Sequence, residues 1–195
     1  KLEKNYEVFH ALVPLQGKIL DAGCGYGFMS YMLYFAAPKR EITGIDYDAD
    51  KIVTANHCFS KTEKINFFHS DILSFEFENY DAIILSDMLH YLQPDEQMVV
   101  IERSISHLNP DGVLIIREGD KDIMKKHQRT KLTEFFSTRM LGFNKTVSKG
   151  LSFVSGSTLR EIARANNMEC KEINDSKYTS NTIFVLKKRN ASEQG

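Results

Sequence analysis

The sequence predicts an α/β fold: a doubly wound, seven-stranded, mostly parallel sheet whose last strand runs antiparallel. Three observations carry this. Short apolar runs alternate with longer helical patterns up to about residue 116. The first run opens directly into a glycine-rich turn, Gly23-Cys-Gly-Tyr-Gly27, with a helical pattern behind it. Near the end two strand-like runs follow one another and read as an antiparallel hairpin.

The elements follow in order. Residues 18–22 (KILDA) read as a buried strand, and 26–35 as a helix that Pro38 closes. Residues 41–46 form the second strand, and 48–57 a helix with Asp48 or Asp50 suited to its first turn. Residues 65–69 and 80–86 are the third and fourth strands. After Pro94 the apolar positions Met98, Ile101, Ile105 and Leu108 keep the spacing of one helical face. Asn109-Pro-Asp-Gly112 reads as a turn before a fifth strand at 113–116. Residues 121–140 look helical and carry many cations. Thr158 with Glu161 three residues on reads as a capping box for a helix ending near Asn166-Asn167. Strands at 170–174 and 182–187 complete the sheet, and 190–195 reads as a tail.

Composition excludes several classes. With 25 Lys+Arg against 26 Asp+Glu the chain is near neutral, so it is neither a wholly basic nucleic-acid binder nor an acidic disordered segment. The balance is a cancellation: residues 117–149 carry a local net charge of +5 and the rest −6. No run of about 18 apolar residues is present to cross a membrane. Cys24, Cys58 and Cys170 are odd in number, far apart and without a CxxC pair. That disfavours a disulfide framework or a zinc site and fits a reducing, cytoplasmic setting. One domain over 1–195 is expected, with 1–15 as an N-terminal helix or lid and 121–155 as a variable acceptor-side segment. The chain begins at Lys1, not Met, which leaves open a trimmed start or a domain of a longer polypeptide.

Three motifs carry chemistry. Glycines at a strand-to-helix turn let a ligand approach the main chain beside a helix N-terminus. A dinucleotide fingerprint counted from Gly23 would put its last small residue at Phe28, too large for close helix approach. Asp21, just before the loop, would repel a pyrophosphate and suit a cationic ligand. Asp46, at the end of the second strand, lies about 20 residues beyond the glycines, where a carboxylate accepts from both hydroxyls of an unphosphorylated ribose; it could also cap the next helix. Asp71, in His69-Ser-Asp71-Ile72, could accept from an adenine amino group while the Ile72 backbone meets the ring edge, or form a turn.

Taken with YDAIILSDMLHYL and LNPDGVLII, the segments ILDAGCGYG, GIDYD and HSDI resemble, in order, the motifs of the class I S-adenosylmethionine-dependent methyltransferases. Asp111 replaces the first glycine of the family's proline-glycine-glycine turn, and the resemblance fades after about Arg117. It implies a Rossmann-like sheet with S-adenosyl-L-methionine above the strand ends. Asp21, Gly23, Cys24 and Gly25 would line the methionine part, Asp46 hold the ribose, and Tyr47 flank the adenine. Asp71 and Ile72 would read the adenine edge, with Ser86 and Asp87 near the sulfonium.

Methyl transfer from a sulfonium needs proximity and desolvation, and a base only for some acceptors. Asp87, His90 and Tyr91 are the candidates. His90 has the best ordinary pKa for a base, and packing under the loop is its other reading. No Asn- or Asp-Pro-Pro-Tyr follows the fourth strand, which argues against exocyclic amines of nucleic-acid bases or glutamine. Acceptor choice is expected in residues 1–14, where Tyr6 and Phe9 could form a lid, and in 121–155. There Phe135, Phe136, Met140, Leu141 and Phe143 lie near Lys125, Lys126 and Arg129. That mix suits an aromatic, acyl or anionic small molecule, or peripheral contact with a membrane; it is equally an amphipathic cover helix. The alternatives are a methyltransferase acting on RNA or protein, and a cofactor-binding module without turnover inside a larger protein. His10, His57, His107 and His127 are expected on helix surfaces, and His69 at a strand end. No metal is expected.

Overall fold

The computed structural model describes residues 5–122, 151–173 and 181–189. The elements are α1 (Asn5–Leu12), β1 (Gln16–Ala22), α2 (Phe28–Ala36), β2 (Lys39–Asp46), α3 (Ala49–Asn56), β3 (Ile65–His69) and β4 (Tyr80–Ser86). A short 3-10 turn (Leu89–Tyr91), α4 (Pro94–Ser106), β5 (Leu108–Gly119), α5 (Gly156–Ala165), β6 (Met168–Ile173) and β7 (Asn181–Lys188) follow. The seven strands form one sheet in the order β3-β2-β1-β4-β5-β7-β6. Only β7 runs antiparallel to its neighbours, β5 and β6. The expected fold class is therefore the observed one.

Alternation along the central strands builds two cores. Leu20, Ile83, Leu85, Leu114 and Ile116 face one side, against Val100, Ile101 and Ile105 of α4 and Leu159 and Ala163 of α5. Ile19, Ala82, Ile84, Val113 and Ile115 face the other, against Phe9 of α1, Tyr31 and Leu33 of α2, and Ile52 and Ala55 of α3. Strands buried on both faces explain the near-continuous apolar runs.

Three local expectations change. The Asn109–Gly112 stretch lies within β5, not before it, held to β4 by Asn109 Nδ2 donating to Asp81 Oδ1 at 2.7 Å. Leu108 consequently belongs to β5, and α4 stops at Ser106. The N-cap of the late helix is Ser155, whose Oγ accepts from Thr158 N at 3.1 Å, so Thr158 is not the cap. The reason is long-range. Asp120 accepts from Gly156 N and Asp122 from Ser157 N, both at 3.1 Å, so two carboxylates meet the first-turn amides and set the start at Gly156. At α3 Asp48 is the N-cap and Asp50 sits in the first turn. The cation-rich residues 125, 126 and 129, the apolar ones at 135, 136, 140, 141 and 143, and His127 lie outside the described residues.

Fully buried Arg40 ties the N-terminal segment to this frame. Its guanidinium donates to the carbonyls of Pro14, Leu33 and Val13 at 2.7–2.8 Å and of His10 at 3.2 Å. Phe9 is fully buried in the core on that side, so it does not face a cleft as a lid residue would. Tyr6 meets the Phe28 ring edge-on at 5.1 Å. No helix among the described residues is long and apolar enough to cross a membrane.

Candidate functional site

Strand order reverses between β1 and β4, with β2 and β3 to one side and β5 to the other. Above such a switch point the strand ends splay and leave a crevice for a ligand. The loops that follow β1, β2, β3 and β4 leave the sheet on that side.

The glycine loop leaves β1 through two amides, Gly23 N and Cys24 N, both donating to Ile45 O of β2 at 2.8 and 2.9 Å. Gly23, Gly25 and Gly27 all take positive φ, between 54° and 77°. The three differ in their surroundings. A Cβ on Gly23 would press on Met88, and one on Gly27 would overlap the Phe67 ring. A Cβ on Gly25 would meet nothing within 4 Å. The chain is thus turned tightly with its midpoint facing open space, a shape that suits a ligand lying along the main chain.

Asp46 ties the loop to β2. Its Oδ2 accepts from Gly25 N at 2.8 Å and its Oδ1 from Asp48 N at 2.9 Å. Each carboxylate oxygen keeps a lone pair for a second donor, the capacity that gripping a vicinal diol requires. Asp21 is only 2% exposed and accepts from Ser30 Oγ at 2.6 Å. Burial pushes its carboxyl up to about 6 against the Ser30 hydrogen bond, and the nearby Asp46 charge adds to the rise. Asp21 therefore underlies the loop and is not an open ligand. Cys24 is also turned inward, and burial pushes its thiol well above the usual range, so only its backbone faces the loop.

On the next strand ends, Tyr47 is 63% exposed and its ring meets His69 edge-on. Asp71 Oδ1 accepts from Leu73 N at 2.9 Å, the turn-forming role, which leaves its other oxygen to a further donor. The Ile72 side chain is buried in the core, and its carbonyl accepts from Arg103 Nη1 at 3.2 Å.

Ser86 ends β4 and Asp87 follows it. Ser86 Oγ donates to Asp87 Oδ2 at 3.3 Å. Asp87 has φ 53°, uncommon for a residue with a side chain. Its carboxylate is ion-paired with Arg117 of β5 and accepts from Asn181 Nδ2 of β7 at 3.3 Å. Tyr91 is 40% exposed, whereas His90 is 2% exposed and pairs through Nδ1 with Glu118 at 2.7 Å. Sequence reasoning missed Ser30, Arg117, Glu118 and Asn181. The only local hint was the charged run Arg117-Glu-Gly-Asp120 leaving an otherwise apolar strand.

The glycine loop, Asp46, Tyr47, Asp71 and Ser86 lie at or just beyond the C-terminal ends of β1, β2, β3 and β4, with the side chains of Asp21 and Cys24 buried. Among the described residues no group of His, Cys, Asp and Glu has the arrangement of a metal site.

Residues 19–112 match a family described as "Methyltransferase domain". The malonyl-[acyl-carrier protein] O-methyltransferase of Bacillus anthracis is 28% identical over 173 residues, covering 86% of this chain and 58% of the relative. The carboxy-S-adenosyl-L-methionine synthase of Campylobacter fetus subsp. fetus is 28% identical over 102 residues, covering 52% and 44%. The chain spans about half the length of the curated relatives it matches. A solved O-methyltransferase family protein from Burkholderia thailandensis has a TM-score of 0.74 over 96% of this chain and 56% of that one; at 18% identity the likeness concerns the fold. S-adenosyl-L-methionine is the family's cofactor. With the matched domain, the ordered motifs and the strand order all in agreement, residues 19–112 carry a methyltransferase domain, and the chain has the Rossmann-like fold of the class I S-adenosylmethionine-dependent methyltransferases.

Proposed function

We propose that this chain binds S-adenosyl-L-methionine above β1 and β4 and transfers its methyl group to a small-molecule acceptor. The observation that carries the reading is the loop at Gly25, open above and anchored below by Asp46. In this reading Asp46 accepts from the ribose hydroxyls, the Gly23–Gly25 backbone with Asp21 beneath it lines the methionine part, and Tyr47 flanks the adenine. Asp71 and the Ile72 backbone read the adenine edge. The bound cofactor supplies a methyl group on a cationic sulfur, an excellent leaving group. Ser86 and Asp87 sit near it and contribute negative potential. Asp87, His90 and Tyr91 face the acceptor side, where the protein's work is to orient the acceptor and exclude water.

A small or acyl-linked acceptor is supported by the B. anthracis relative, whose match runs through 86% of this chain. The local +5 charge of residues 117–149 supports an anionic acceptor. Nucleic acid is disfavoured by the missing Pro-Pro-Tyr motif; RNA affinity that falls steeply with salt would reverse that judgement. Three free cysteines fit a cytoplasmic setting.

Isothermal calorimetry with S-adenosylmethionine and S-adenosylhomocysteine tests the reading. Wild type should bind both, and Asp46→Ala should weaken each by about 100-fold, from lost ribose contacts and a slackened loop. Absence of binding by the folded wild type, or unchanged affinity in the variant, would sink it.

A further inference from the structure

Helix α2 (Phe28–Ala36, FMSYMLYFA) carries no charged residue on any face. Its inner face is accounted for: Tyr31 and Leu33 are buried in the core, and Ser30 donates to Asp21. Its outer face is not. Phe28, Met32 and Phe35 follow at i, i+4 and i+7, and all three are exposed. A helix that is apolar all round is ordinarily covered all round. α1 meets Phe28 through the edge of Tyr6 and leaves the stripe open.

The apolar surface continues onto α3. Between the two helices runs a groove of about 680 Å³ lined by Tyr26, Phe28, Val53 and Phe59, with buried Tyr31 below. Tyr31 Oη donates to Ala55 O at 2.8 Å and fixes the spacing of α2 and α3. Phe59, in the turn after α3, is fully exposed, and Tyr26, Phe28 and Phe35 keep 50–60% of their surface. With Met32 and Val53 these rings leave roughly 700 Å² of apolar surface in water, at about 200 Å² per whole ring. That exceeds the roughly 300–600 Å² of a monomer's largest patch. It approaches the roughly 800 Å² that each partner brings to a stable interface.

The surrounding charges narrow the partner. Asp50 on α3 and Lys61, Glu63 and Lys64 beyond Phe59 carry two charges of each sign. An anionic bilayer would call for cations alone, whereas a mixed rim pairs with another mixed rim. The same face also holds both a projecting ring and a groove to receive one, which is the self-complementarity of an isologous contact. We propose that the α2–α3 face is the contact of a two-fold homodimer, with Phe59 of each copy seated in the α2–α3 groove of the other. Both halves of the contact are used in the pair, so it closes at two copies. Because Tyr26 lies between Gly25 and Gly27, the interface borders the glycine loop.

Sedimentation velocity of the whole chain over about 0.1–100 μM tests this. At the upper end wild type should sediment at twice the 22.4 kDa of one chain. Phe59→Asp and Phe35→Asp should each weaken the dissociation constant by about 100-fold or more, because a carboxylate would be buried unpaired in the contact. Val99→Asp, at an exposed position of α4, should change it by less than about twofold. Hydroxyl-radical footprinting of wild type serves should a variant fail to fold. Oxidation of Phe59, Met32 and Phe35 should fall by about fivefold or more from below to above the dissociation constant, and that of Tyr91 should not change. A wild type still monomeric at the highest concentration, a dimer that both aspartate variants leave intact, or protection that bypasses α2 and Phe59 would each overturn the proposal. So would a monomer that floats with phosphatidylcholine–phosphatidylserine vesicles and no longer does so as Phe59→Asp, which would make the face a membrane contact.

Discussion

Asp21 should cost the folded protein stability at neutral pH. Its carboxyl is buried and pushed from 3.8 up to about 6, chiefly by loss of solvation. A carboxyl whose folded pKa is raised resists ionising in the fold. The penalty is therefore absent below the unfolded value near 3.8, grows as pH rises, and is complete above about 6. A shift of about 2 units corresponds to about 3 kcal/mol, of which about 2 kcal/mol develops between about pH 4.5 and pH 8. Asp21→Asn removes the charge and keeps an oxygen to accept from Ser30 Oγ, while its new amide group adds a cost that does not vary with pH. Urea unfolding of both proteins at several pH values isolates the titration, because the constant cost cancels from the slope. Relative to wild type, the variant should gain about 2 kcal/mol from the acid to the alkaline end, on the order of 4–8 °C in Tm. S-adenosylmethionine affinity should move the other way. Wild type should bind more tightly as pH rises through about 6, when a negative charge appears beneath the loop that carries the cationic ligand, and the variant should bind weakly with no such rise. A stability difference between the two proteins that stays flat with pH would refute the reasoning.

The other expectations are simpler. Gly25→Ala and Gly27→Ala share a positive φ, but only the second drives a Cβ into the Phe67 ring. Gly25→Ala should lose about 1–2 kcal/mol by denaturant unfolding, and Gly27→Ala clearly more; equal losses would contradict the geometry. Arg40→Met strands four carbonyls at the junction of α1, α2 and β2, and should lose about 3 kcal/mol or more, with little recovery in Arg40→Lys because an ammonium cannot span the same fork. Ser155→Ala should lose about 1 kcal/mol and Glu161→Ala almost nothing, as differential melting would show; the reverse order would restore Thr158 as the cap.

Local pattern made much of this protein legible. A glycine turn straight after an apolar run is a loop because only glycine enters positive φ freely, and Asp48 ahead of a helical stretch is an N-cap because its oxygen meets free amides. The five ordered motifs likewise identified the methyltransferase class. The misplaced cap at Thr158 shows the limit of such reasoning. Its spacing to Glu161 was a sound local signal, but Asp120 and Asp122, more than 30 residues earlier in the chain, meet the amides at Gly156 and Ser157.

The sequence by itself determined the alternation of strands and helices, the turn chemistry at Gly23–Gly27, and the carboxylates at 46 and 71, since each depends on neighbours in the chain. Tertiary structure alone decided what those groups face. It buried Asp21 against Ser30, closed Asp46 onto the Gly25 amide, and brought Glu118 to His90 across 28 residues of chain. Charge, tautomer and access depend on distance in space, and adjacent parallel strands join residues that a linear reading keeps apart.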